Sequence, residues 1–213
     1  MNILIAGANG KIGRRLIPHL VADNQRVRAM VRDPAQQADL RQLGAHETVV
    51  ADLEGDCREA LSGQDLVIFT AGSGPHTGPE KTIDVDQNGA ISLIDQAKEV
   101  GVGRFIMVSS MRADEPASGP DALRHYFEAK GKADDHLRQS GLAYTIVRPG
   151  RLTETPPTGK VTLAPRLTEF GDISREDVAK VLAETARAPL DHTEFDVIEG
   201  DTPIIQALTD LAP

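Results

Sequence analysis

The chain has 213 residues, 40% of them hydrophobic and 3% aromatic, and carries a formal net charge of -9. That length fits one domain over residues 1–213 with a core of Val, Ile, Leu and Ala. The acidic balance excludes non-specific binding to nucleic acid, which needs a dense basic surface. No apolar run is long enough to span a bilayer.

Apolar runs of strand length recur along the chain: NILIA from Asn2, RVRAMV from Arg26, ETVV from Glu47, DLVIFT from Asp65, RFIMVSS from Arg104 and AYTIVRP from Ala143. Segments with helical spacing separate most of them. In GRRLIPHLVAD, Leu16, Leu20 and Val21 share a face, and Pro18 is tolerated if the helix starts late. In GAISLIDQAKEVG, Ile91, Ile94, Ala97 and the stem of Lys98 cover one side, and Gly101 ends the helix. Past Pro149 the pattern loosens into a Pro- and Thr-rich segment, about 150–171, that reads as a small irregular cap with one short strand. A helix follows, with Ser174 as N-cap and Glu176 and Asp177 in its first turn. TEFDVIEG is the last strand and PIIQALTDLA the terminal helix. Strands alternating with helices predict an α/β, doubly wound Rossmann fold with a parallel sheet.

Gly7, Gly10 and Gly13 form G-x-x-G-x-x-G between the first strand and the first helix. In that position the glycines supply a tight turn, close approach of the backbone to a diphosphate, and close packing of helix on strand. The loop amides through Asn9, Lys11 and Ile12 then become candidate anion ligands. At the end of the second strand an acidic side chain would hold the ribose hydroxyls of NAD and a basic one a 2′-phosphate. Arg32 stands there, with Asp33 next, so NADP is expected over NAD. Arg14 adds positive charge, while Arg15 reads as a solvated helix residue. Asp52 and Leu53 end the third strand and would flank an adenine ring; Ala71 and Gly72, followed by Ser73, end the fourth and leave room for a cofactor.

From these motifs the chain resembles the short-chain dehydrogenase/reductase superfamily, in its atypical branch. It is similar to small members compared with nitrogen-metabolite-repressor-like regulators and with flavin and biliverdin reductases. The resemblance runs from GANGKIG through DL, TAGSG and HYFEAK to IVRPGRLT and DISREDVAKVL. It implies that Tyr126 moves the substrate proton and that Lys130, four residues on and on the same helix face, orients the ribose and lowers the phenol's pKa. It further implies that Ser110, or Ser109 in a shifted register, binds the substrate oxygen, and that Pro149 and Gly150 turn the chain over the nicotinamide. Met111 departs from the hydroxyl residue that related enzymes often carry.

Arg148 reads as structural, and His76 and His125 stay outside the catalytic set. Cys57, the single cysteine, reads as a buried or tolerated thiol, and no His/Cys spacing suggests a metal site. The expected partner is a small-molecule substrate rather than nucleic acid or membrane; the chain is expected to be a monomer or weak homodimer, in the cytoplasm. Substrate choice is expected to lie in the segments Gly72 to Glu80, Arg112 to Asp121 and Arg151 to Phe170. The function expected is reduction of a small carbonyl, quinone or flavin-like acceptor by NADPH, with a redox sensor lacking turnover as the alternative. The short C-terminal part argues against a nucleotide-sugar epimerase.

Overall fold

A computed structural model describes residues 1–74 and 78–212. His76 and part of the Gly72 to Glu80 segment therefore lie outside the described residues. The six apolar runs become strands β1 (Asn2–Ala6), β2 (Arg26–Val31), β3 (Glu47–Val50), β4 (Leu66–Phe69), β5 (Arg104–Val108) and β6 (Ala143–Pro149). They are followed by β7 (Arg151–Thr153), β8 (Lys160–Ala164), β9 (Asp172–Ser174), β10 (Thr193–Glu199) and β11 (Thr202–Pro203). The helices are α1 (Lys11–Ala22), α2 (Gln37–Gln42), α3 (Arg58–Leu61), α4 (Pro79–Lys81), α5 (Ala90–Val100), α6 (Arg124–Gln139), α7 (Arg175–Arg187) and α8 (Ile204–Leu211).

The main sheet runs β11-β8-β10-β6-β5-β4-β1-β2-β3. From β3 through β10 every pairing is parallel. Strand order reverses beside β1, which lies between β2 and β4, and this opens the crevice where ligands bind in doubly wound sheets. Register aligns Ala6 with Met30 and Phe69, Phe69 with Met107, and Val108 with Val147. The residues that follow β1, β2, β4, β5 and β6, namely Gly7, Arg32, Thr70, Ser109 and Gly150, consequently emerge along one rim.

Alternation along β1 sends Ile3 and Ile5 to one face and Leu4 and Ala6 to the other. The first face packs against Leu16, Ile17 and Leu20 of α1 and Val178, Val181 and Leu182 of α7. The second packs against Leu61 of α3, Leu93, Ile94 and Ala97 of α5 and Leu137 of α6. Both faces of the sheet are covered, which is why its central strands read as unbroken apolar runs.

Three local expectations change. α1 starts early, at Lys11, so Pro18 sits in the helix interior, on its exposed side, where it removes one backbone hydrogen bond. Within α5 the buried stripe runs through Leu93 and Gln96 as well as Ile94 and Ala97, while Ile91 is half-buried and Lys98 exposed. The segment read as an irregular cap is more ordered than its composition suggests. Its β8 joins the main sheet antiparallel to β10, and β7 pairs with β9 in a separate two-stranded sheet. Gly101 ends α5 with φ +83°, and Ser174 caps α7 by accepting from the Asp177 amide at 2.9 Å. Asp177 does more than face the helix dipole: its buried carboxylate also accepts from the amides of Thr158 and Gly159. Among the described residues no helix is long and apolar enough to cross a membrane.

Candidate active site

The glycine loop lies where the sheet requires it. Gly7 has φ +86°, and a Cβ there would stand 2.5 Å from the Ala71 amide nitrogen, so the ends of β1 and β4 close up only around a glycine. A Cβ on Gly13 would meet the Gly7 and Ala8 carbonyls at 2.6 and 2.7 Å. The loop is braced by the Gly10 amide and the Thr70 hydroxyl, both donating to the Gly7 carbonyl at 2.9 and 3.2 Å. Gly10 is the N-cap of α1 and offers no side-chain acceptor to the first-turn amides, and no acidic residue lies in that turn. Helix amides left without a protein cap, at the positive end of the dipole, form a receptor for an anion such as a dinucleotide diphosphate. Asn9 accepts from the Arg14 guanidinium at 2.9 Å, which fixes the outer side of the loop.

Around the rim, Arg32 is exposed and has no ion pair or hydrogen bond among the described residues. Asp33 is engaged: its carboxylate accepts from the Ala35 amide at 2.9 Å and caps the short 3-10 turn Pro34–Gln36. Asp52 likewise caps its own turn through the Glu54 amide at 3.0 Å. Leu53 is buried against Gly89, where a Cβ would stand 2.9 Å from that of Leu53. Buried Gln96 holds the same turn by accepting from the Cys57 amide and donating to the Gly55 carbonyl. Burial, with Asp56 and Asp52 nearby, pushes the Cys57 thiol up to about 11, which makes it a buried structural thiol. Arg15 pairs with Glu154 at 2.9 Å, and Lys11 with the same carboxylate at 3.1 Å.

Across the crevice, Tyr126 and Lys130 stand one turn apart on α6. The Lys130 ammonium lies 5.9 Å from the Tyr126 ring centroid and 5.7 Å from that of Phe69. Lys130 is only 3% exposed, and its Nζ is 3.0 Å from Asp86 Oδ1 while donating to the Val108 carbonyl at 3.3 Å. Asp86 comes from a π-helical stretch, Thr82–Gly89, that runs straight into α5. Its other oxygen accepts from the Ser73 amide at 2.9 Å, which ties the loop after β4 to the lysine. Such wide turns often mark functional positions, because the added residue redirects side chains.

The two candidate serines are separated clearly. Ser109 points inward and donates to Asp134 at 2.5 Å, with both residues buried. Ser110 is half-buried, donates its hydroxyl to the Met111 carbonyl at 3.2 Å, and lies near enough to Tyr126 to draw the phenol's pKa down. Of the two, Ser109 is committed to Asp134 and Ser110 is the one beside Tyr126. Pro149 accepts from the Met111 amide, and Gly150 packs against the Gly171 carbonyl, which a Cβ would approach to 2.1 Å. Arg148, 4% exposed, pairs with Asp196 and Glu194 and donates to the Pro165 carbonyl, a structural hub as expected. His125 is half-buried beside Tyr126 in sequence, outside this set of contacts.

Burial lifts the Tyr126 phenol; Lys130 and Ser110 pull it down and Asp86 raises it, and the balance lies above the ordinary value. The expected downward pull of the ammonium is present, but burial outweighs it and Asp86 adds to the rise. Burial alone would depress Lys130, but Asp86, then Tyr126 and Asp134, outweigh it and hold the ammonium above its usual value. Burial pushes Asp134 up to about 7, against the Ser109 hydroxyl and the charges of Lys130, Arg138 and Arg148. Asp86 and Asp134 were not singled out from the sequence. A signal for Asp134 existed, since the Tyr126 to Lys130 spacing carried one turn further reaches it.

A glycine-cradled helix start at the strand-order reversal, facing a buried Lys and a Tyr, defines a dinucleotide-binding α/β protein. The chain belongs to the NAD(P)H-binding family, whose model matches residues 7–189. It is 48% identical to a Bacillus subtilis protein called an uncharacterized sugar epimerase, YhfK, covering 99% of this chain and all of that one. A solved structure, a putative NAD-dependent epimerase/dehydratase from Bacillus halodurans, superposes with a TM-score of 0.97 at 47% identity, over 99% of this chain and 100% of that one. ChuY of Escherichia coli O157:H7, described as an anaerobilin reductase, superposes with a TM-score of 0.77 at 28% identity, over 94% of this chain and 98% of that one.

Proposed function

We propose that the protein is an NADP-dependent oxidoreductase that reduces a small carbonyl, quinone or flavin-like acceptor. The observation that carries this reading is the half-buried Tyr126 phenol, with Ser110 beside it and the buried Lys130 one helical turn on. The residues fit the cofactor: the uncapped start of α1 suits the diphosphate, and unpaired Arg32, beside an Asp33 already engaged in a turn, suits a 2′-phosphate. NADPH bound there supplies the hydride. Ser110 hydrogen-bonds the acceptor oxygen, and Tyr126 donates its proton to that oxygen as it becomes a hydroxyl. Lys130, held by Asp86, keeps a positive charge near the phenolate that Tyr126 leaves behind. A phenol that stays protonated suits the reductive direction. The reductase name of ChuY supports the same class of reaction, whereas YhfK carries an epimerase name.

Tyr126→Phe is expected to lower turnover of a quinone or aldehyde by about 10²- to 10⁴-fold, with NADPH binding retained. Loss of NADPH absorbance, followed side by side in wild type and variant, checks it. Unchanged turnover would reject tyrosine as the acid and point to direct hydride transfer to a bound flavin. Binding of NADPH with no acceptor reduced would favour a redox sensor. An epimerase would return its hydride to the product and give no net NADPH loss.

Arg32→Ser is expected to weaken NADPH about 10- to 100-fold, from the loss of charge-assisted bonds to the phosphate, and to change NADH binding far less. Fluorescence titration with both nucleotides reads the ratio. Equal losses for the two would remove Arg32 as the phosphate ligand.

A further inference from the structure

Arg112 has a left-handed backbone, φ +71°, a conformation that residues with a side chain rarely adopt. Its neighbours hold it there. The Met111 amide donates to Pro149, the Ala113 amide to Ser110, and the Glu115 amide to Arg112 itself. Ala113 also packs on α6 so closely that a Cβ on Gly131 would stand 2.2 Å from its carbonyl oxygen. The loop that aims Arg112 is thus anchored on the elements that place Ser110, Lys130 and Pro149. Strain that the surroundings over-determine next to a reacting group points to a use for the side chain.

The guanidinium lies 4.3 Å from the Phe170 ring centroid, and Phe170 is 45% exposed. The arginines of the segments around it are neutralised: Arg166 by Asp114 and Glu115, Arg151 by Asp172, and Arg148 by Asp196 and Glu194. Arg112 has no carboxylate partner and no hydrogen-bond acceptor among the described residues. A half-buried cation with its donors unused, stacked on an exposed aromatic ring two residues beyond Ser110, matches a ligand with a flat apolar body and an anionic group.

We infer that Arg112 and Phe170 recognise the substrate, and that the substrate is a planar conjugated compound carrying a carboxylate or a similar anion. The guanidinium pairs with the anion and Phe170 covers the ring, while the opposite end of the molecule reaches Ser110 and Tyr126. This rests on the reductase reading for which end reacts, but the binding claim is tested without turnover.

The protein, saturated with NADPH, is titrated calorimetrically with 2-naphthoate and with the neutral 2-naphthalenemethanol. Wild type is expected to prefer the naphthoate, and R112Q to bind it about 10- to 100-fold more weakly, so that the preference disappears. R112N provides a second variant whose side chain tolerates the left-handed backbone, and F170A is expected to weaken both ligands. Bound NADPH reports that each variant is folded. No naphthoate binding by wild type, or equal affinity in wild type, R112Q and R112N, overturns the proposal. Arg112-dependent naphthoate binding with no acceptor reduced on any panel would discard the reductase reading and sustain the anion site.

Discussion

Asp86→Ala should cost about 3 to 5 kcal/mol of folding stability, the loss typical of leaving one member of a buried ion pair uncompensated. Lys130 is 3% exposed and Asp86 1%, so solvent cannot take over the missing charge. The substitution also frees the Ser73 amide and opens space beside Gly72, where a Cβ would stand 3.1 Å from Asp86 Oδ1. With the carboxylate gone, burial becomes the dominant influence on Lys130, and its pKa should fall. Urea unfolding of Asp86→Ala, Lys130→Met and the double variant tests this. The double variant should be more stable than Asp86→Ala alone, because it removes the orphaned charge as well as its partner. A loss under about 1 kcal/mol for Asp86→Ala would show that water or a rearranged neighbour replaces the pair.

Asp134 predicts a pH dependence of opposite origin. Its carboxyl titrates near 3.8 in a free chain and is pushed up to about 7 in the fold. Between those values the folded protein holds a proton that the unfolded chain releases, so this group's stabilisation is complete below about 3.8 and is lost as pH rises towards 7. The full span is at most about 4 kcal/mol. Asn presents an acceptor to Ser109 without ionising. Asp134→Asn should therefore match wild type within about 1 kcal/mol at pH 4 and exceed it by a few kcal/mol at pH 8. Thermal or urea unfolding across that range reads the difference, and parallel pH profiles for the two proteins would reject a buried, protonated Asp134.

The central strands were legible because a strand covered on both faces is apolar at nearly every position, and ILIA and LVIF fit that burial. The glycine loop was legible for a steric reason that Gly7 and Gly13 make explicit. β8 was legible only as one unplaced short strand, since its pattern of an exposed Lys160, buried Val161 and exposed Thr162 is diluted by the prolines around it. Asp86 was hidden because an aspartate in a helical stretch reads as solvent-facing, and the π turn that brings it inside has no strong sequence mark. In α6, Asp134 and Asp135 are identical neighbours, one buried and one exposed, and only the phase set by Tyr126 and Lys130 tells them apart. Arg112 was read only as the start of a substrate-choosing segment, because its backbone conformation depends on contacts with Pro149 and Gly131, remote in sequence.

The Arg148 hub has a consequence for how the site wall can change. Arg148 grips the Pro165 carbonyl and Asp196 the Leu167 amide, while the Gly171 carbonyl accepts from the Arg151 amide. Between these two clamps Thr168, Glu169 and Phe170 are exposed. Extending a surface loop by a few residues costs little in closure entropy, and neither clamp touches the glycine cradle. With Phe170 in the proposed substrate role, the stretch is an exchangeable cassette: insertions or swaps there would retune what the protein accepts while the nucleotide half is inherited intact.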